Sequence, residues 1–201
     1  MSLPEPPLVA PVGTTPGIID VTPDRYAECL VVLQAGFATE VADFGITREN
    51  TPSNPAFWGV AAIPAVVSKG FELFAIEVGG RIMGCAFAGP SRSRPEVWSL
   101  RHLAVDPSAR HSGYGAALVA EGTRRARAAG AGSLAIGIVA ENTRLSQWYR
   151  RLGFESIDRT QYPGLVFTVE RLRLALDPSP LVDPVETPGT DARDLDMLDR
   201  P

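Results

Sequence analysis

Lysine is nearly missing from this chain: Lys69 is the only one among 201 residues, and cysteine and histidine occur only twice each. A Walker-type phosphate loop needs a Gly-Lys-Ser/Thr triplet, which Lys69, between Ser68 and Gly70, does not supply. Cys29 and Cys85 lie inside apolar patterns without metal-ligand spacing. Both read as small core residues rather than a disulfide or a metal site, in keeping with a reducing cytosol. No uninterrupted apolar run is long enough to span a membrane, although apolar residues make up 45% of the chain. Met1 to Gly17 is proline-rich and carries no basic n-region, so no signal peptide is expected. These absences predict a soluble, cytoplasmic protein with no membrane partner. A concentrated basic face is absent too. The net charge of −4 conceals an acidic end, with seven Asp and Glu against Arg193 and Arg200 over residues 177–201, and a body near +1. Such a body predicts no nucleic-acid partner.

What is present begins with periodicity. Gly17–Val21 is a short apolar strand, and Thr22-Pro23-Asp24 opens a helix to about Phe37, with Tyr26, Leu30, Leu33 and Phe37 on one face. Glu40 to Asn54 is polar and broken by Gly45 and Pro52, and one short helix is expected within residues 55–68. Phe71–Val78 and Arg81–Ala88 flank Gly79-Gly80, the strongest hairpin signal in the chain. Glu96–Val105 alternates as a strand, Gly113–Ala129 reads as a helix closed by Gly130, and Ser133–Val139 reads as a strand. A helix from Asn142 follows, then strands at Phe154–Ile157 and Leu165–Leu176. The order β-α-(α)-β-β-β-α-β-α-β-β predicts an α/β domain over residues 17–176, a mixed sheet with helices on both faces. A Pro-rich tail over 1–16 and an acidic tail over 177–201 lack an apolar period and are expected to be disordered.

Chemistry concentrates in Val105-Asp106-Pro107-Ser108-Ala109-Arg110-His111-Ser112-Gly113-Tyr114-Gly115-Ala116-Ala117-Leu118, a basic turn joining strand to helix. A helix N-terminus presents unpaired N–H groups and the positive end of the dipole, which suits an anion. Glycines at 113 and 115 keep side chains away from a phosphate lying against that backbone. A dinucleotide fingerprint fails because its third glycine falls on Leu118. Glycine spacing alone leaves a phosphate cradle and an ordinary strand-to-helix turn level. Downstream, Asn142 suits an N-cap, Gly153 a helix stop, and Arg150 and Arg151 the negative end of the dipole. Leu145, Trp148, Tyr149 and Leu152 share one face, where Tyr149 stands out because a buried phenol needs a polar partner.

The full string Val-x-Pro-x-x-Arg-x-x-Gly-x-Gly-x-x-Leu resembles the acyl-CoA-binding motif of the GNAT superfamily of N-acetyltransferases. Asn142 to Phe154 is similar to the family's second signature, in which Asn opens a helix, Tyr follows and Gly-Phe ends it. The resemblance implies the GNAT fold: a central mixed, mostly antiparallel sheet of about seven strands, flanked by helices on both faces. It implies transfer of an acetyl group from acetyl-CoA to a primary amine of a small molecule or peptide, without a metal. By the same resemblance the amides of His111, Ser112, Gly113, Tyr114, Gly115 and Ala116 hold the pyrophosphate, with Arg110 opening the loop. Leu103, Ala104 and Val105 run beside the pantetheine arm, Asn142 reaches it, and the Leu103 N–H faces the developing oxyanion. Tyr149 lies near the thioester sulfur as general acid; a phenol with a pKa of about 10 is protonated at neutral pH.

The general base is where the sequence departs from the family's pattern. Many members carry Glu or His at positions that fall here on Ser99 and Arg101, neither a good base. Glu96, nearer the start of that strand, is the closest carboxylate and the candidate base, beside the alternatives of a surface charge there and a water-mediated route. Alternation sets His102 on the face opposite Arg101 unless a bulge intervenes, and it reads as a core or second-face histidine. The acceptor pocket is expected within Phe37–Trp58, where Glu40, Asp43, Phe44, Glu49, Phe57 and Trp58 suit a cationic amine. Arg101 pointing into it would favour an acceptor bearing a carboxylate instead. A CoA-binding regulatory module without turnover and an acyltransferase using another acyl-CoA are the alternatives, and a homodimer is compatible with the family.

Overall fold

The computed structural model describes residues 16–94 and 96–176, so both expected tails, Pro16 excepted, lie outside the described residues. Within it, β1 (Gly17–Asp20), β2 (Glu72–Val78), β3 (Arg81–Pro90), β4 (Val97–Val105), β5 (Ser133–Val139), β6 (Glu155–Thr160) and β7 (Val169–Ala175) form one sheet. Their order is β1-β2-β3-β4-β5-β7-β6. Every neighbouring pair is antiparallel except β4 and β5. The helices are α1 (Tyr26–Phe44), α2 (Ala62–Val67), α3 (Tyr114–Ala128) and α4 (Thr143–Arg151).

Strand alternation sorts the core into two layers. On β2, Phe74 and Ile76 join Leu118, Val119 and Ala126 of α3 and Tyr149 of α4 on one side of the sheet. Leu73 and Ala75 join Cys29, Val32 and Leu33 of α1 and Ile63 and Val66 of α2 on the other. Both cysteines are buried and free, as their apolar surroundings predict.

Three boundaries differ from the sequence expectation by three residues or more. Helix α1 does not stop near Phe37 but runs to Phe44, because Phe37, Val41 and Phe44 continue the apolar stripe beneath the polar residues. It ends where Gly45 turns left-handed, with φ 64°. β6 extends beyond Ile157 to Thr160. β7 begins at Val169 rather than Leu165, since the Leu165 N–H is tied back to the Tyr162 carbonyl in a turn.

Candidate active site

The site grows out of a fault in β4. Phe87 faces Arg101 and Cys85 faces Ala104 across the β3–β4 ladder, so β4 contributes one extra residue between those pairs. His102 takes up that surplus with φ 49°, a left-handed backbone that an ordinary strand residue avoids. Alternation therefore slips by one. Arg101 and His102 face the same side, which corrects the expectation that they lie on opposite faces. The Arg101 guanidinium lies 4.9 Å over the Phe71 ring, and His102 sits among Phe37, Trp58 and Phe87. Arg101 is thus a buried core cation stacked on the β2 side.

β4 and β5 separate just ahead of this fault. Their parallel ladder joins only Val97 to Ser133, Trp98 to Leu134 and Ser99 to Ala135, although both strands continue. A slot thus opens between them beside Leu103, Ala104 and Val105. Ser99 is buried at its closed end. Glu96 lies outside the slot: it is exposed ahead of β4, roughly 20 Å of strand from Leu103 at about 3.3 Å per residue. Its carbonyl accepts from the Gly132 N–H at 2.9 Å.

At the open end, β4 leads into the turn that starts α3. Asp106 fixes its first half by accepting from the Ser108 N–H at 2.9 Å and from the Ser108 hydroxyl at 2.6 Å. His111 (φ 66°) and Gly113 (φ 83°) are left-handed, so the chain curls with its amides turned to one side, the concavity that holds anions. A Cβ on Gly113 would meet nothing within 4 Å, which leaves this side of the turn open. Gly115 has a second reason to be glycine, since its Cβ would press to 3.3 Å on the Trp148 ring of α4. The Arg110 guanidinium turns away from the cradle and donates to the Gly36 carbonyl at 3.0 Å and the Thr39 hydroxyl at 3.1 Å.

Two helices bring side chains to the slot from opposite faces. Asn142 caps α4, its Oδ1 accepting from the Leu145 N–H at 3.1 Å, as its position predicts. One face of α4 then carries Tyr149 into the core cluster that Leu103 and Val105 also join. The Tyr149 ring packs against Trp148 and Phe154 and is 2% exposed. Burial pushes its phenol pKa well above the usual value, and the charge of Glu40 adds to the rise.

Glu40 arrives from the other face. Helix α1 crosses β4 so closely that a Cβ on Gly36 would come within 2.9 Å of the Ala104 Cβ. Two turns later Phe44 packs in the cluster containing Val139, the last residue of β5. Glu40 lies between these crossings, over the slot. Burial raises its carboxyl to about 7 even though the Asn54 side chain donates to it. Of the six residues expected in the acceptor pocket, Asp43 and Glu49 are exposed, and Trp58 is buried with its indole N–H on the Ser53 carbonyl. Phe44 and Phe57 pack in the small cluster at the end of α1. Glu40 alone of the acidic residues is turned inward. Its inward position was hidden by the expected helix end at Phe37; the spacing Phe37-Val41-Phe44 was the signal available.

The sheet is thus open and seven-stranded, with helices on both faces, and β4 parts from β5 where a glycine-containing turn heads α3. A model of the acetyltransferase (GNAT) family matches residues 44–154, more than half of the chain. The chain belongs to that family and is an enzyme of the acyltransferase class. Among solved structures, a Desulfovibrio desulfuricans protein assigned to the GNAT family is 19% identical with a TM-score of 0.66, covering 81% of this chain and 100% of that one. The ribosomal-protein-alanine N-acetyltransferase of Brucella melitensis is 21% identical with a TM-score of 0.63, covering 79% and 99%. A Salmonella typhimurium protein solved with its cofactor acetyl-CoA is 18% identical with a TM-score of 0.63, covering 86% and 99%. At these identities the likeness is one of fold. No curated protein sequence matches the chain. Among the described residues no helix is long and apolar enough to cross a membrane, and no group of three metal-ligating side chains converges.

Proposed function

We propose that this enzyme transfers an acetyl group from acetyl-CoA to a primary amine of a small molecule or peptide, in the cytoplasm. The observation that carries the reading is continuity: the open turn heading α3 leads into the stretch of β4 that has left β5, and Tyr149 packs beside that stretch.

Each residue has a task. The amides of His111, Ser112, Gly113, Tyr114, Gly115 and Ala116 take the pyrophosphate, assisted by the dipole of α3. Arg110 braces the turn against α1. Leu103, Ala104 and Val105 offer strand edge to the pantetheine arm, and Asn142 stands at the head of α4 on the far side of the slot. Bound there, acetyl-CoA supplies the activated thioester. The Leu103 N–H donates to the thioester oxygen as negative charge gathers on it. Tyr149, kept protonated by burial, gives its proton to the sulfur as the C–S bond breaks.

The test is thiol release from acetyl-CoA by the full chain in the presence of a panel of amines: small aliphatic amines, amino acids and short peptides. Release that depends on one class of amine, with the acetylated amine as product, is the expected result. Tight acetyl-CoA binding with no release on any amine would make the protein a CoA-binding module instead.

A further inference from the structure

We propose that Glu40, on the helix face overhanging the slot between β4 and β5, is the general base for the acceptor amine. The inference deepens the acetyltransferase reading and rests on it. The strand positions expected to carry a base hold Ser99 and Arg101, and Glu96, the carboxylate just ahead of β4, is exposed beyond the closed end of the slot. The chemistry still requires a base, because a free primary amine is nearly all ammonium at neutral pH and only the neutral form attacks a thioester.

Placement argues for Glu40. Gly36 fixes α1 on Ala104, and Phe44 fixes it near Val139, so the intervening turn spans the two strands four to five residues past their last pair, Ser99 and Ala135. Its carboxylate is near enough to Tyr149 to raise that phenol's pKa, although the two come from helices on opposite faces of the sheet. A carboxylate on the α1 side and a phenol on the α4 side thus bracket the position where amine and thioester meet. Asn54, 7% exposed, holds the carboxylate; its own Oδ1 accepts from the Ala56 N–H at 3.0 Å, which leaves the amide N–H₂ to donate. The other charged or titratable groups about this turn are Arg110, donating to Thr39; His102, beneath Phe37; and Asp43, on the same helix and exposed. None of these contributes to the shift of Glu40, which burial dominates.

The proton balance closes. The ammonium loses one proton to Glu40, which passes it to water. The neutral nitrogen then forms the C–N bond, the C–S bond breaks, and sulfur takes the Tyr149 proton. The nitrogen's second surplus proton offsets the one that Tyr149 gave up. The products are an amide, a thiol and one proton released to solvent.

The test is kcat/KM for thiol release from about pH 5 to 10, with acetyl-CoA and the best amine of the panel. Wild type is expected to gain activity through an apparent pKa near 7. Glu40→Gln should lose that limb, fall at least ~10²-fold at pH 7, and then climb about tenfold per pH unit toward the amine's own pKa. Its acetyl-CoA affinity should be unchanged, which separates a lost base from a lost fold, and Glu40→Asp should restore the limb with part of the rate. Glu40→Gln at the wild-type rate, or slowed but with the limb intact, would overturn the assignment while leaving the acetyltransferase reading in place. A wild type that acetylates no amine would overturn that reading, and the role of Glu40 with it.

Discussion

Burial raises the protonation thresholds of Tyr149 and Glu40 together, with different consequences. For the phenol it secures an acid: the group stays protonated well past neutrality and has a proton to give. Tyr149→Phe is therefore expected to keep acetyl-CoA affinity while turnover falls ~10²-fold or more; an unchanged rate in a thiol-release assay would assign protonation of sulfur to water. For the carboxyl, burial creates a base poised near neutrality at a cost in stability. The folded protein holds the Glu40 proton up to about 7, against an ordinary 4.5. Its favourable contribution is full below about pH 4.5 and is lost as pH rises through about 7. Glu40→Gln cannot ionise, so it should be more stable than wild type above pH 7, on the order of 1–3 kcal/mol, and equal to it near pH 4. Chemical denaturation at the two pH values checks this. Greater stability with lower activity is the signature of a residue kept for chemistry.

At the scale of elements, the turn heading α3 is the part most legible in the sequence. Its glycines, its neighbouring strand and the Asn142 cap all stand where spacing placed them, because local backbone chemistry decides them. Gly113→Val should cost acetyl-CoA affinity tenfold or more by calorimetry, since valine is strained at φ 83° and its branches occupy the open side of the cradle. Undiminished affinity would move the pyrophosphate elsewhere. The β4 bulge was half legible. Leu100 and Leu103 are apolar three residues apart with Arg101-His102 between them, a break in the two-residue period that only a surplus residue reconciles. What alternation could not supply is the side that both polar residues take, which the aromatic set of Phe37, Trp58 and Phe87 decides. The reach of α1 was illegible for a related reason: Glu40 and Asp43 look like loop polarity until Val41 and Phe44 are given a surface to pack on, and that surface is the distant Val139 and Phe167.

Across the whole molecule, the two core layers keep the slot in place, and one cation ties the sheet edge to the donor-side layer. The Arg125 side chain on α3, 12% exposed, binds Asp20 of β1, Glu72 of β2 and Glu121 of its own helix, and covers the Phe74 ring. Arg125→Met should lower unfolding stability by only about 0.5–1.5 kcal/mol, because Glu121 keeps its two bonds to Arg124 and the exposed Asp20 and Glu72 count for little. A denaturant midpoint unmoved by the substitution would mean that apolar packing alone holds this edge. The general architecture followed from element order and two motifs, whereas the acceptor side depended on contacts between residues far apart in sequence. That asymmetry matches the division of labour proposed for the site, with the donor on local backbone and the acceptor among side chains that only the fold assembles. A crystal structure of the full chain with acetyl-CoA tests this division most directly. The pyrophosphate is expected within hydrogen-bonding distance of the amides of residues 111–116 and the thioester in the β4–β5 slot, with Tyr149 at the sulfur and Glu40 facing the carbonyl carbon. Pyrophosphate bound elsewhere, or a thioester lying outside the slot, would contradict it.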